Sequence, residues 1–288
     1  MITVFTSTYN RAYIIENLYQ SLCQQSYKDF EWLIIDDGST DDTEKIVTSL
    51  MKKKEVVIYY VKQPNGGKHR AINRGVQLAQ GELFFIVDSD DQLYSNALAE
   101  IMHYYEDIKY NGSFAGICGL KTFFDGRVVG GEFQYTLLDC SPLDLRLKYH
   151  VKGDMAEVFK TDVLKKYPFP TFDGEKFCPE ALVWNRISLK YKLRYVNDPI
   201  YRCEYRPDGL TAKIVRLRMN NPQASLLYYS ELYQMNIPFL QKVKAAINYW
   251  RFSFSSHLSF FVHLKQIGFL SLFMYPIGLL FHLRDLRS

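Results

Sequence analysis

Cysteine is sparse and unpatterned in this chain. The five thiols (Cys23, Cys118, Cys140, Cys178 and Cys203) form no C-x-x-C pair and no Cys/His spacing of the zinc type, which argues against a structural zinc site and suits a reducing compartment. There is no internal repeat and no low-complexity tract, so a solenoid is excluded and nothing in the composition suggests disorder. Met1 to Phe5 opens directly as a strand, without a basic n-region or a small-residue cleavage site, so no secretory leader is expected and the protein is placed in the cytoplasm. The 288 residues suffice for one large domain with an appendage, or for two smaller ones.

Charge is unevenly distributed. The formal total is only +4, but from Lys213 onward nine Lys/Arg face two acids, leaving residues 1–212 at −3. A basic, aromatic tail on a mildly acidic body suits an anionic surface, and its apolar runs favour membrane over nucleic acid.

Apolar strand-like runs (Ile2 to Thr6, Trp32 to Asp36, Val56 to Val61, Leu83 to Val87) alternate with amphipathic stretches (Ala12 to Gln24, Asp42 to Lys52, Lys68 to Ala79). This is the βαβα rhythm of a parallel sheet with helices on its faces. A helix is expected from Ser95-Asn96 to about Ile108. The texture from Phe114 to Tyr135, with a turn at Asp125-Gly126, predicts antiparallel additions. Further strands are expected at Met155 to Phe159, Leu193 to Asn197 and Ile200 to Tyr205, and a helix at about Glu180 to Lys190. A first domain over residues 1–212 and a helical region over 213–288, broken at Pro222, Pro238 and Pro276, complete the expected organisation.

The chemistry gathers where strands end. Leu83 to Val87 has no polar member and releases Asp88-Ser89-Asp90-Asp91 at its carboxyl end, the edge at which open α/β sheets bind ligands. Grouped carboxylates repel one another and call for a cation, and a hard divalent ion takes one or two of them beside water and phosphate oxygens. An acidic loop capping the next helix is the plainer alternative. Asp36 and Asp37 end another buried strand, where they can accept hydrogen bonds from a ribose or a base N–H, while Ser39 and Asp42 fit a capping box. Thr6-Ser7-Thr8-Tyr9-Asn10-Arg11 can cradle a nucleotide, with Tyr9 a flat face for a base, or can serve as an ordinary cap. Asn65-Gly66-Gly67-Lys68-His69-Arg70 feeds a helix start flanked by cations, which suits phosphate. It is no P-loop, because Lys62 stands at the first glycine's place and His69 at that of the Ser/Thr. Glu180, after Pro179, reads as a first-turn acid stabilised by the helix dipole or as a general base; Asp154 is a weaker candidate of the same kind. Arg202 and Arg206 can meet phosphate or form surface ion pairs.

Four motifs in order, Thr8-Tyr9-Asn10-Arg11 after strand one, Asp36-Asp37-Gly38-Ser39-Thr40-Asp41 after strand two, the Gly66-Gly67-Lys68 to Asn73 and Gly75 helix, and Asp88-Ser89-Asp90-Asp91 after strand four, resemble family 2 glycosyltransferases over about residues 2 to 210. The resemblance implies a GT-A-type nucleotide-diphospho-sugar transferase fold, α/β with a mostly parallel central sheet, antiparallel additions and a C-terminal helical appendage. It implies an inverting, non-processive transfer of one sugar from a nucleotide-sugar, UDP-sugar favoured, to a glycan or polyprenyl-linked saccharide. By position, Thr6, Thr8 and Tyr9 would line the nucleoside pocket, with Asp37 beside Asp36 reading the base, and Lys68 and Asn73 would approach the diphosphate. Asp88-Ser89-Asp90 would be the D-x-D motif: Asp90 with Asp88 would hold Mn²⁺ or Mg²⁺, while Asp88 and Ser89 would also contact the donor. Glu180 would be the catalytic base by its spacing to Arg186, although Pro179-Glu180 stands where the family has Glu-Asp. The Q-x-x-R-W motif of processive synthases is missing. A nucleotidyltransferase of similar fold would be expected to carry a Gly-rich, basic signature near strand one, which Thr6 to Arg11 does not provide. A non-catalytic membrane-associated binding protein would leave the acidic clusters no reason to coincide.

The run Ile267 to Phe281 is uncharged for fifteen residues but is interrupted by Pro276, short of the roughly twenty apolar residues of a transmembrane helix. Attachment to one membrane leaflet is the expectation, with a buried appendage, a homodimer surface and a true span as the alternatives. The expected location is the inner face of the cell membrane, with no nucleic-acid partner.

Overall fold

The computed structural model describes residues 1–205 and 213–287; of the candidate residues, Arg206 lies outside them. They divide into two compact units, Met1–Pro168 with Arg186–Glu204, and Phe169–Asn185 with the chain from Tyr205 onward.

The first unit is built on β1 (Ile2–Thr8), α1 (Ile15–Cys23), β2 (Phe30–Asp36), α2 (Thr43–Lys53), β3 (Val57–Lys62), α3 (Lys68–Leu78) and β4 (Leu83–Ile86). Then come β5 (Gln92–Leu93), α4 (Ala97–Glu106), β6 (Phe114–Phe123), β7 (Leu137–Cys140), α5 (Pro142–Leu147), β8 (Met155–Lys160), α6 (Thr161–Lys166) and, beyond the excursion to the second unit, β9 (Lys192–Cys203). Among the described residues the strands form one sheet in the order β3-β2-β1-β4-β8-β6-β9-β5, with β7 also paired to β9. The first four run parallel. Antiparallel β8 joins them to β6.

Covering both faces of the parallel strands explains their composition. β2 is buried at every position, and β4 continues the pattern with Leu83, Phe84 and Phe85 fully buried. β3 is the edge, and there Val57 and Tyr59 face solvent while Ile58 is buried. Register then sets the geometry of the candidate site. Thr8 pairs with Asp36, Asp36 with Lys62, and Phe5 with Ile86, so β1, β2 and β4 deliver their polar residues at one edge.

Close packing holds α3 on this sheet. A Cβ on Gly75 would lie 2.2 Å from Cε2 of Phe5, so the helix approaches β1 only because that residue has no side chain.

The second unit is helical. α7 (Glu180–Ser188) starts in it, and α8 (Ile214–Asn220), α9 (Pro222–Gln234), α10 (Phe239–Ser253), α11 (Phe260–Ile267), a 3-10 segment Phe269–Met274 and α12 (Tyr275–Asp285) follow. The three prolines that interrupt the tail stand at helix starts, Pro222 and Pro276 in the first turns of α9 and α12 and Pro238 at the N-cap of α10. A missing N–H costs nothing there. Tyr249, Trp250, Phe252, Leu226 and Ile267 form the core.

The segment Phe169–Asn185 is fastened to these helices by polar contacts. Both carboxylate oxygens of Glu175 accept backbone N–H groups at the start of α9, Gln223 at 2.6 Å and Ala224 at 2.9 Å. Asn221 Oδ1 in turn accepts from Lys176 N at 2.7 Å and Phe177 N at 3.1 Å. Each side supplies what the other lacks: orphan N–H groups of the α9 N-terminus gain an anionic acceptor, and loop N–H groups gain a carbonyl.

Candidate active site

The strand-end loops of the first unit are cross-tied before any ligand is considered. Asn10, held at a positive φ of 53°, accepts from Thr40 N at 2.8 Å through Oδ1, and its own N–H donates to Ser39 Oγ at 2.9 Å. Ala12 N donates to Asp41 Oδ2 at 3.0 Å, and Thr43 N to Asp41 Oδ1 at 3.1 Å. The expected capping box of Ser39 and Asp42 therefore does not form. Ser39 serves the neighbouring loop, and Asp41 takes the capping work, because two facing loops offer more unsatisfied N–H groups than one helix start.

Asp36 and Asp37 are both buried, and the protein itself engages both. Asp36 accepts from Ser39 N at 2.7 Å and from Tyr60 Oη at 2.5 Å. Asp37 accepts from Gly66 N at 2.9 Å and Gln63 Nε2 at 2.8 Å on one oxygen and from Gly67 N at 2.7 Å on the other. Asp37 thereby fixes the glycine loop at the head of α3. Gly38 completes the turn at φ 88°, where a Cβ would meet Asn65 N at 2.9 Å.

Thr6 is likewise buried: its hydroxyl donates to Val87 O at 2.9 Å and accepts from Trp32 Nε1 at 2.9 Å, joining β1 to the end of β4. Thr8 differs. It is buried, yet its Oγ1 has no hydrogen-bond partner, an arrangement that is expensive unless a ligand or water completes it. His69, in the first turn of α3, has the same character at Nδ1, and burial pushes its imidazole down to about 4, so it is neutral near pH 7. Tyr9 is half-exposed with its ring accessible. Asn73 is half-buried on α3.

At the end of β4 the carboxylates fall into different environments. Lys68 Nζ lies 2.6 Å from Asp88 Oδ1. Burial works against the Asp88 anion, but Lys68, Lys121 and Arg11 outweigh it and hold the carboxyl below its usual range. Ser89 is buried and Asp90 half-buried. Asp91 is buried behind them, where desolvation and then the charge of Asp88 push it up to about 7, and its Oδ2 accepts from Tyr201 Oη at 2.7 Å. Tyr201 Oη also accepts from Asp88 N at 3.0 Å, so one phenol organises two residues of the loop.

Lys121, near the C-terminal end of β6, stands with its ammonium 4.2 Å from the Tyr201 ring centroid. Burial disfavours its charge, yet the carboxylates Asp88, Glu157 and Asp91 raise its pKa. Neither Lys121 nor Tyr201 was among the sequence candidates. A single charged residue inside the β6 run was the available signal for the first, and nothing local marks the second.

Arg202 stacks on Tyr94, its guanidinium carbon 4.1 Å from the ring centroid. Asp154 borders a small hollow with Lys121, Phe133 and Met155. Glu180 is the first residue of α7 in the second unit, half-buried.

A divalent ion, which the fold family implies, can be tested against these residues. Among the described residues no group of three or more His, Cys, Asp and Glu side chains is placed to hold a metal. Asp88 and Asp90 offer two carboxylates, which fits an ion that draws its remaining oxygens from phosphate and water, as Mg²⁺ and Mn²⁺ do.

Comparison with known proteins identifies the family. The pattern described as Glycosyl transferase family 2 matches residues 3–128. Over 226 residues the chain is 30% identical to the GalNAc(5)-diNAcBac-PP-undecaprenol beta-1,3-glucosyltransferase of Campylobacter jejuni, covering 73% of this chain and 67% of that protein. This chain belongs to glycosyltransferase family 2. It is also 26% identical over 214 residues to the glycosyltransferase GlyG of Streptococcus pneumoniae, covering 70% of this chain and 69% of the relative. The fold matches S. aureus TarS in complex with UDP-GlcNAc, at a TM-score of 0.65 and 20% identity, over 96% of this chain and 79% of that one. It also matches a Pyrobaculum calidifontis mannosyltransferase in complex with GDP-Man and Mn²⁺, at 0.58 and 18% identity, over 98% and 80%. The fold class expected from the motifs, a GT-A sheet with antiparallel additions and C-terminal helices, is thus the one found, and the protein is a glycosyltransferase.

Proposed function

We propose that this glycosyltransferase moves one sugar from a UDP-sugar onto a hydroxyl of a lipid-linked or glycan acceptor in bacterial cell-envelope polysaccharide assembly, with inversion at the anomeric carbon. The observation that carries the donor assignment is the edge where β1, β2 and β4 end. There an unpartnered Thr8 hydroxyl and the exposed Tyr9 ring adjoin a loop whose N–H groups Asp37 holds in place, and Lys68 and Asp88 form an ion pair at 2.6 Å. A nucleoside supplies the partner Thr8 lacks and stacks on Tyr9, while a diphosphate meets the Lys68 ammonium and the α3 N-terminus. The poly(ribitol-phosphate) and PP-undecaprenol substrates named for TarS and for the C. jejuni relative support the acceptor class, and the UDP-GlcNAc in the TarS complex supports the choice of uridine.

In the reaction the Glu180 carboxylate takes the proton of the acceptor hydroxyl as that oxygen bonds to the anomeric carbon. The bond from that carbon to the diphosphate oxygen breaks on the opposite side, and its electron pair leaves with the nucleoside diphosphate. A single in-line displacement inverts the configuration. Lys68 places positive charge beside the departing diphosphate. Asp88 and Asp90 would hold a Mn²⁺ or Mg²⁺ ion, which when bound supplies further positive charge to the leaving group. Asp36, Asp37 and Thr6, all buried and engaged, shape the pocket, with Asp37 also the candidate for reading a base N–H. Arg202 and Asp154 have no role in this scheme. In this reading the enzyme works at the inner face of the cell membrane, where lipid-linked acceptors are presented.

The test is to incubate the purified protein with Mn²⁺ or Mg²⁺ and, separately, UDP-glucose, UDP-galactose, UDP-GlcNAc and GDP-mannose, and to measure free nucleoside diphosphate. Slow release of UDP from one donor is expected. Release from GDP-mannose alone would overturn the uridine assignment, and release from none would overturn the donor reading.

A further inference from the structure

The C-terminal helical hairpin is built with inverted polarity. Phe261 is 80% exposed, Phe269 70%, Leu270 72%, Phe273 74% and Leu280 67%, while Ser271 is 1%, His263 4% and His282 8% exposed. Most of the polar residues turned inward are satisfied there: Trp250 Nε1 donates to Ser271 O at 2.9 Å, His263 sits between Tyr249 Oη and Ser256 Oγ at 3.1 and 2.9 Å, and Arg251 grips both oxygens of Asp285, while His282 Nδ1 is buried without a hydrogen-bond partner. A helix that packs its histidines, serine and aspartate inside and offers phenylalanine and leucine outward is not solvated by water at low cost.

From this face we infer an in-plane membrane-binding wedge formed by α11, the 3-10 segment and the outer side of α12, which enters the interfacial region of an anionic bilayer without crossing it. Two observations favour lipid over a second copy of the chain. The exposed apolar residues are flanked by exposed Lys265, Arg284 and Arg287, and the hairpin's single acid, Asp285, is already bound to Arg251. Self-association through this face would bring like charges together, whereas anionic headgroups complement them. The bend favours the shallow depth: α11 and the segment from Phe269 to Asp285 are bent by 113° from one another, and among the described residues no single helix is long and apolar enough to span a membrane, although this bent pair together has the length and composition of a span. A bent, amphipathic pair with cations at its rim suits the boundary between headgroups and acyl chains. The Trp250 ring packs against both arms of the pair, Phe260 of α11 at 5.7 Å and Tyr275 of α12 at 5.1 Å between centroids. The inference stands on this surface alone; it rests on the proposed reaction only in that a lipid-linked acceptor gives the attachment a use.

Co-sedimentation with vesicles of phosphatidylcholine alone, or mixed with phosphatidylglycerol, tests it. The protein should bind the mixed vesicles, bind the neutral ones more weakly, and lose part of the difference in high salt. A variant combining Phe269→Ser, Leu270→Ser and Phe273→Ser, all exposed positions, should fold normally, keep donor hydrolysis unchanged and bind mixed vesicles at least about tenfold more weakly, as expected for three lost interfacial anchors. Lys265→Glu with Arg284→Glu should remove only the preference for phosphatidylglycerol. Equal binding by the triple variant, or no binding by the wild type to either vesicle, would overturn the inference. So would a lipid-free dimer that the triple variant converts to monomer. Donor hydrolysis in solution reads the proposed reaction separately from all of these.

Discussion

Replacing Gly75 with alanine is expected to destabilise the protein, although the same change on a free helix surface stabilises. Intrinsic propensity favours alanine by about 1 kcal/mol in a helix interior. Against that, the new methyl would stand 2.2 Å from Cε2 and 2.5 Å from Cδ2 of Phe5, distances that real Cβ contacts do not adopt. Phe5 is fully buried and stacks on Phe84 at 4.9 Å, itself fully buried, so the ring has nowhere to go and α3 must move outward. Overpacking of this kind costs about 1–3 kcal/mol, leaving a net loss of up to roughly 2 kcal/mol. The outward shift also carries Lys68 away from Asp88, which it meets at 2.6 Å, so UDP affinity should fall alongside stability. Urea unfolding monitored by fluorescence gives the first quantity and calorimetric titration with UDP the second. A midpoint above that of the wild type would refute the argument, because it would mean that helix propensity and not the contact with Phe5 governs the position.

Four further outcomes are expected. His69, buried and held to about 4 against an ordinary 6.5, binds its proton more readily in the unfolded chain, so its contribution is present above pH 6.5 and is lost as pH falls towards 4; the stability difference between wild type and His69→Gln should change by about 3 kcal/mol across that window, and a flat difference in urea titrations would defeat it. Asn221→Ala leaves the N–H groups of Lys176 and Phe177 without their acceptor, at a cost of about 2–3 kcal/mol. Because that segment leads to Glu180, steady-state kinetics should show a fall in kcat with UDP affinity unchanged, and an affinity change instead would contradict the assignment. Glu180→Gln should lower kcat at least about a hundredfold while leaving UDP binding intact, whereas Asp90→Asn should raise the Mn²⁺ concentration needed for half-maximal activity; full activity in either would remove the residue from its role.

The parallel strands were legible because burial on both faces leaves an unbroken apolar run, as in Trp32 to Ile35 and Leu83 to Phe85. Elements stabilised by single tertiary contacts were not. β5 is two residues long and exists through pairing of Gln92 and Leu93 with Arg202 and Tyr201. β7, α5 and α6 are short in the same way, four, six and six residues. The runs expected at Leu193 to Asn197 and Ile200 to Tyr205 are one strand, β9, whose register against β6 shifts on either side of the Leu120↔Pro199 pair, so Pro199, between the two expected runs, sits at an irregularity. The first helix starts at Ile15 and not at Ala12, because Asn10, Arg11 and Ala12 donate their N–H groups to the facing loop. The candidate residues were found by their place at strand ends, but their division of labour was hidden. Only burial and partners distinguish Thr6, fully bonded, from Thr8, which lacks a partner.

That distinction bears on how the two acidic clusters differ in chemistry. Asp36 and Asp37 together accept five hydrogen bonds from Ser39, Tyr60, Gln63, Gly66 and Gly67. Their charge is thus neutralised by donors that also fix the loop, which is how a buried carboxylate is tolerated. Asp88 is instead balanced by a lysine on α3, itself half-buried, and an ammonium that pairs with a carboxylate can exchange it for a phosphate of similar charge without a new desolvation cost. In the proposed donor complex an arriving diphosphate would take over Lys68, and Asp88 would then be available with Asp90 as an oxygen donor to an ion. The ion pair would then be the resting arrangement of the proposed donor site. Lys68→Met should consequently weaken UDP binding more than it weakens the fold, since the carboxylate it leaves behind is 38% exposed and can be hydrated.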